Sequence, residues 1–302
     1  MDTRTAVRVV SLSKKYNKSD KMALSNLNLS INKGEIYGFL GPNGAGKSTT
    51  IRLLMNFLQP TKGEMYIDDR LVGSNSNIYK NVGYLSGDFV AYPKLTGKQF
   101  LDYMSAYSLK ENDQKYISSL AKRMDIDLSK KIGSLSKGNR QKIGIIQAMM
   151  NKPDVLILDE PTSGLDPLKQ EVFYELIAEA KKSGAGIFFS SHNLAEVQKI
   201  CDRVGIIREG VLVHESTLSD LELGATQTFE ITFINKPPLA QLKKIKGVSH
   251  LELKDKDVIL HLNGEVTPLI SELAKYRVLK INSRELDLEN EFMRFYEKGS
   301  NK

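Results

Sequence analysis

The stretch Gly41-Pro-Asn-Gly-Ala-Gly46-Lys47-Ser48 sets two framing glycines, a lysine and a hydroxyl at the spacing G-x-x-x-x-G-K-[ST], a pattern whose chemistry is the holding of phosphate. Glycines let backbone N–H groups converge on phosphate oxygens, and a helix opening behind them adds the positive end of its dipole. In such a loop Lys47 would reach the β- and γ-phosphates of a nucleotide and the Ser48 hydroxyl would bind Mg²⁺. Pro42, Asn43, Gly44, Ala45 and Thr49 complete the expected cradle. A second chemical feature closes the run Val155-Leu-Ile-Leu158, which ends in Asp159-Glu160. Asp159 is placed to hold Mg²⁺ through its water shell, and Glu160, next in the chain but pointing elsewhere, to act as general base on an attacking water.

These residues need elements to position them. EIYGFL runs straight into the glycine loop as a strand, and Ile51, Leu54, Met55 and Leu58 continue from Ser48 at helical spacing until Pro60. VRVV and LNLSI read as earlier strands, so residues 6–40 form an antiparallel β entry. VLIL (155–158) and GIFF (186–189), each followed by a helix-like stretch, give the alternation of parallel βαβ units. TGKQFLDYMSAYSL and NDQKYISSLAKRM read as helices, the start of a helical insertion over about 96–150. From about residue 226 the order is β-α-β-β-α-β with a final helix, ENEFMRFYEK, the order of a ferredoxin-like unit, with LELGATQT as linker. The expected fold is thus an α/β P-loop NTPase domain over 1–222, with antiparallel β and helical subdomains, and a small α+β domain over 223–302.

Composition bounds the rest. With 302 residues, 41% hydrophobic and 26% charged, the chain matches ordinary globular usage and is neither collagen-like, coiled-coil nor disordered. A lone Cys201 and the lack of Cys/His pairs at zinc spacing exclude a disulfide scaffold and a structural zinc site, and fit a reducing compartment. No run approaches the ~18 apolar residues of a spanning helix, and the N-terminus has no signal-peptide pattern. The charge excess of +7 lies wholly in residues 1–219, with 30 basic against 23 acidic side chains, while residues 220–302 carry 13 of each. No Lys/Arg block marks a nucleic-acid arm, so no nucleic-acid partner is expected.

With both phosphate motifs in place, the chain resembles the ATP-binding subunits of ABC transporters over about residues 5–215. Leu135-Ser136-Lys137-Gly138-Asn139 looks like the family signature LSGGQ, with Lys137 and Asn139 as departures and Ser136 and Gly138 retained. The resemblance implies that Ser136 and Gly138 reach the γ-phosphate of ATP bound on a second subunit, so that ATP and Mg²⁺ join two copies, a homodimer by expectation. Ser163-Gly164-Leu165-Asp166 resembles the D-loop of the dimer interface. His192, closing Ser190-Ser191-His192, corresponds to the histidine that bonds the γ-phosphate, and Tyr16 to the aromatic that stacks on adenine. The family's Gln after the strand VGYL is missing: Ser86-Gly87-Asp88 stands there, and Asp88 could supply the oxygen to Mg²⁺ if the loop shifts by one residue.

The function so implied is ATP hydrolysis driving a separate membrane permease, docked through loop 86–95 with Phe89, Val90 and Tyr92 as exposed apolar contacts. The subunit would sit at the cytoplasmic face of the membrane through that permease. The divergent loop, the Lys in the signature and the small appendage resemble exporters of drugs, peptides or antibiotics. The alternative is a non-transport ATPase of the same family acting on ribosomes or DNA; a single ATP-binding domain without heptad arms speaks against it. The C-terminal unit, lacking catalytic clusters, reads as a docking, regulatory or dimer-stabilising module.

Overall fold

A computed structural model describes residues 4–17, 20–74, 76–106, 113–224, 226–254 and 257–284. The expected final helix at 289–298 and the stretch 107–109 of the first insertion helix lie outside the described residues. The chain divides into two compact units, Met1–Glu215 and Ser216–Lys302.

In the first unit, strands β1 (Thr5–Lys15), β2 (Met22–Asn32), β4 (Lys62–Ile67) and β5 (Arg70–Leu71) form an antiparallel sheet of order β2-β1-β4-β5. The second sheet joins β3 (Ile36–Leu40), β6 (Val82–Leu85), β7 (Val155–Asp159), β8 (Gly186–Ser191), β9 (Arg203–Arg208) and β10 (Val211–Thr217) in the order β10-β9-β3-β8-β7-β6. Its β9-β3-β8-β7-β6 stretch is parallel. Strands β3, β7 and β8 are buried at every position, as expected of parallel strands covered on both faces, and this is why IYGFL, VLILD and GIFFSS are near-continuous apolar runs. At the edge, β10 instead alternates exposed and half-buried residues. One apolar core joins the antiparallel sheet, the first helix and the central strands, with Leu27, Tyr37, Phe39, Ile51, Ile157 and Phe188 fully buried.

Helix α1 (Lys47–Leu54) follows β3. It is shorter than the spacing predicts, because Met55 caps it and Asn56 turns left-handed at φ 56°. The helical lobe holds α2 (Gly97–Ser105), α3 (Gln114–Met124) and α4 (Lys137–Met149). Thr96 and Gln99 close a reciprocal capping box on α2, and Asp113 caps α3. Helices α5 (Pro167–Lys182) and α6 (Leu194–Ile200) follow β7 and β8.

The second unit holds α7 (Leu218–Gly224), β11 (Thr226–Phe233), α8 (Leu239–Leu242), β12 (Val248–Lys254), β13 (Asp257–Asn263), α9 (Thr267–Leu273) and β14 (Val278–Arg284). Of the segment expected as a linker, 221–228, residues 221–224 end α7 and 226–228 begin β11. The sheet order is β12-β13-β11-β14, all antiparallel, over a core of its own that includes Phe229, Ile231, Leu260, Leu262 and Leu269. No helix among the described residues is long and apolar enough to cross a membrane.

Candidate phosphate-handling site

Register places the chemistry in one row. Leu40, last in β3, lies beside Ser191 of β8, and Ser190 lies beside Asp159 of β7. The glycine loop, Asp159-Glu160 and His192 therefore emerge together at the carboxyl edge of neighbouring parallel strands, where open α/β sheets bind ligands.

In the loop, Gly46 precedes α1 at φ 116°, a backbone conformation that L side chains rarely adopt. A Cβ there would also stand 2.8 Å from Leu24 Cδ2. Lys47 is only 5% exposed. Its Nζ donates to Gly41 O at 2.6 Å and Pro42 O at 3.2 Å and lies 3.4 Å from Glu160 Oε1. A buried ammonium bonded to two neutral carbonyls and one half-buried carboxylate is a cation suited to meet an anion. Pro42, Asn43 and Gly44 are exposed at the rim and Ala45 is buried. Thr49 Oγ1 lies 3.3 Å from the hydroxyl of Tyr16, which places that ring beside the first turn of α1.

Asp159 is 8% exposed and accepts from Ser190 Oγ at 2.6 Å. Glu160 adopts a left-handed backbone, φ 45°, costly for a non-glycine residue by about 1–3 kcal/mol. Its N–H donates to both Ser190 O and Ser190 Oγ, each at 3.2 Å, which holds it there. So aimed, its carboxylate meets His192 Nδ1 at 3.1 Å on one oxygen and Lys47 on the other.

A cleft of about 470 Å³ adjoins this cluster, lined by Ser48, Arg52, Tyr84, Asp88, Asp159 and Glu160 among others. Burial, and then the Asp159 carboxylate, push the Tyr84 phenol above its ordinary range. Gly87 abuts Asp159: a Cβ would sit 3.3 Å from its carbonyl oxygen and 3.4 Å from its Cγ. Asp88 is exposed in the same cleft. Ser48, Asp159 and Asp88 are hard oxygen donors, the set that suits Mg²⁺.

Ser136 and Gly138 stand apart from that cleft. Ser136 caps α4, accepting from Asn139 N at 3.3 Å. Gly138 lies against Gly164, and Lys137 Nζ is 3.5 Å from Ser163 Oγ, so the signature-like segment leans on the loop after Glu160 of its own chain. In loop 86–95, Val90 (80% exposed) and Tyr92 are exposed, but Phe89 is half-buried, packed edge-on against Phe100 at 5.9 Å; the expectation of three exposed apolar contacts is corrected to two. These residues border a groove of about 550 Å³ with Met104 and Gln147. Sequence reasoning passed over Ser190, Thr162 and Glu196; the only signal was the paired serines before His192.

A glycine loop opening a helix, beside an acidic strand end in a mainly parallel sheet, is the P-loop nucleotide-binding fold. The family model described as ABC transporter matches residues 24–163. The chain is 31% identical to the bacitracin transport ATP-binding protein BcrA of Bacillus licheniformis, over 98% of this chain and 99% of that one. It is 30% identical to the linearmycin resistance ATP-binding protein LnrL of Bacillus subtilis, over 94% and 96%. A solved structure of the ATP binding subunit of an ABC transporter superposes with TM-score 0.68 at 31% identity, covering 72% of this chain and 92% of that one. The chain belongs to the ATP-binding subunits of ABC transporters, a family of ATPases.

Proposed function

We propose that this chain is the ATP-hydrolysing subunit of an exporter of antibiotics, drugs or peptides, and that two copies acting together power a separate membrane subunit. The observation that carries the hydrolytic reading is the convergence of Lys47 and His192 on the two oxygens of Glu160, at 3.4 and 3.1 Å. The export reading is supported by likeness along nearly the whole chain to subunits named for bacitracin transport and linearmycin resistance.

In this reading Tyr16 stacks on adenine, and the amides of residues 41–49 with Lys47 hold the β- and γ-phosphates. Lys47 exchanges its bonds to Gly41 and Pro42 for phosphate oxygens. Ser48 and Asp159 would hold Mg²⁺, with Asp88 a further donor, and the ion would neutralise charge on the phosphates. Glu160 takes a proton from a water whose oxygen attacks the γ-phosphorus, as the bond from that phosphorus to the bridging oxygen breaks and ADP and phosphate result. His192 bonds the γ-phosphate, and Ser136 and Gly138 act on ATP held by the second copy. The groove at 86–95, with Val90 and Tyr92, takes the membrane subunit. We read residues 1–222 as the ATP-binding domain and 223–302 as an accessory domain of ferredoxin-like fold, which the strand order β12-β13-β11-β14 supports.

The test is Glu160→Gln. Turnover should fall ~100- to 10,000-fold, the range for loss of a general base, while Mg-ATP stabilises a dimer detectable by light scattering. Turnover near the parental rate would remove Glu160 from its role.

A further inference from the structure

Glu196, in the first turn of α6, carries no role in the proposed chemistry, yet each of its carboxylate oxygens accepts a hydrogen bond. Thr162 Oγ1 donates to Oε1 at 2.7 Å and Ser191 Oγ donates to Oε2 at 2.7 Å. Both donors are buried and Glu196 is half-buried. The two hydroxyls belong to different parts of the site. Thr162 lies two residues after Glu160, on the loop that leaves β7; Ser191 lies one residue before His192, at the end of β8. Ser191 also accepts the Gly41 N–H through its backbone oxygen at 3.2 Å, so it touches the root of the phosphate loop.

A hydroxyl pair could have been joined directly or through backbone, as Ser190 joins Asp159 and Glu160 one level below. A charged acceptor makes stronger bonds than a neutral one and tolerates little drift in either donor. A carboxylate gripping both segments therefore fixes their separation within two residues of the His192–Glu160 contact, which is itself on a more exposed pair of side chains.

We propose that Glu196 is a positioning residue for hydrolysis: by bridging Thr162 and Ser191 it holds the segment of His192 at the distance from Glu160 that the reaction requires. The inference rests on the reading of Glu160 and His192 given above.

The test uses the full chain with Mg-ATP under single-turnover conditions. Glu196→Ala should slow hydrolysis roughly 10- to 100-fold, the scale of a misplacement of about 1 Å. Affinity for a fluorescent ATP analogue should stay within about twofold, since phosphate binding is untouched. Glu196→Gln keeps the shape and one acceptor and should return the rate to within about threefold of the parent. A merely structural role would multiply its loss with any other, whereas a role exercised through His192 should add less than about threefold when Glu196→Ala is placed in a His192→Ala chain. Should Glu196→Ala not fold, Thr162→Val removes one of its two bonds and Ser191→Ala the other, together with the bond that Asn193 N–H donates to Ser191 Oγ at 3.0 Å; Thr162→Val should show a smaller loss than Glu196→Ala, and both should show the same non-additivity. Parental turnover in Glu196→Ala, or in both hydroxyl variants, overturns the proposal, as does a fully multiplicative loss in the double variant. If His192→Ala itself turns over at the parental rate, the hydrolytic reading fails instead; a slow His192→Ala beside a parental Glu196→Ala defeats the inference alone.

Discussion

Gly138 stands where a methyl group would meet Gly164 O at 2.3 Å, well inside any real contact. Two opposing terms bear on Gly138→Ala. Alanine favours the helix by about 1 kcal/mol over glycine, while forcing a carbon against backbone costs about 1–3 kcal/mol in strain. Because the obstructing atom is backbone and not the end of a flexible side chain, strain should win. We expect a net loss of about 1 kcal/mol and a melting temperature lower by about 2–4 °C, read by calorimetry, with turnover reduced further because the loop after Glu160 must move. A variant as stable and as active as the parent would mean that the α4 start and the 161–166 loop are free to separate. Sequence reading marked Gly138 by resemblance to a motif, for contact with phosphate; its packing against Gly164 was invisible, because a backbone approach across 26 residues leaves no periodic trace. The same holds for Glu196, whose partners lie 34 and five residues away and whose only local sign is an acidic residue in a helix's first turn.

At the scale of elements, the strands that carry the chemistry were legible because full burial writes an uninterrupted apolar run: IYGFL, VLILD and GIFFSS each show it. What escaped was written more faintly. The β4–β5 hairpin turns through Asp68 and Asp69, both left-handed at φ 50° and 59°, where an Asn-Gly or Asp-Gly pair would have announced the turn. Phe89 reads as an exposed residue beside Val90 and Tyr92, but the groove beside α2 takes it in. The helical lobe is tied to the sheet-covering helices partly by Arg123 of α3, which bonds Glu179 at 2.8 Å and Glu175 at 3.3 Å on α5. The Arg123 hydrogen bond holds the Glu179 carboxyl below its ordinary value. A depressed folded-state pKa means stability that is present above the unfolded value, about 4.3 for Glu, and lost as pH falls through the depressed one. Both carboxylates are more than half exposed, so screening limits the pair to about 0.5 kcal/mol. Arg123→Ala should accordingly lower the urea midpoint slightly at pH 7 and converge on the parent as the pH falls below 4 and, separately, in ~1 M salt. A difference that persists at both extremes would assign the effect to packing of the arginine stem.

The whole molecule is two units with separate cores, Met1–Glu215 around the central sheet and Ser216–Lys302 around Phe229, Ile231 and Leu260. Charge follows the same division in the sequence, with the entire excess of +7 ahead of residue 220 and an even balance beyond it. In the sequence, the change from βα alternation to a β-α-β-β-α-β order marks a second domain, expected from 223, and Gly224 makes LELGATQT read as a linker, whereas residues 221–224 close α7 and 226–228 open β11. Separate cores predict separate melting. A ligand stabilises only the unit that binds it, by RT ln(1 + [L]/Kd), about 2.7 kcal/mol at a hundredfold excess over Kd. For a unit of this size that is a rise of about 5–10 °C. Calorimetry of the Glu160→Gln chain, in which the proposed role of Glu160 predicts that ATP is consumed only slowly, should therefore show two transitions, with the larger moved upward by Mg-ATP and the smaller left in place. A single transition that shifts as a whole would mean that the accessory unit is thermodynamically part of the motor, and that nucleotide occupancy is felt throughout the chain.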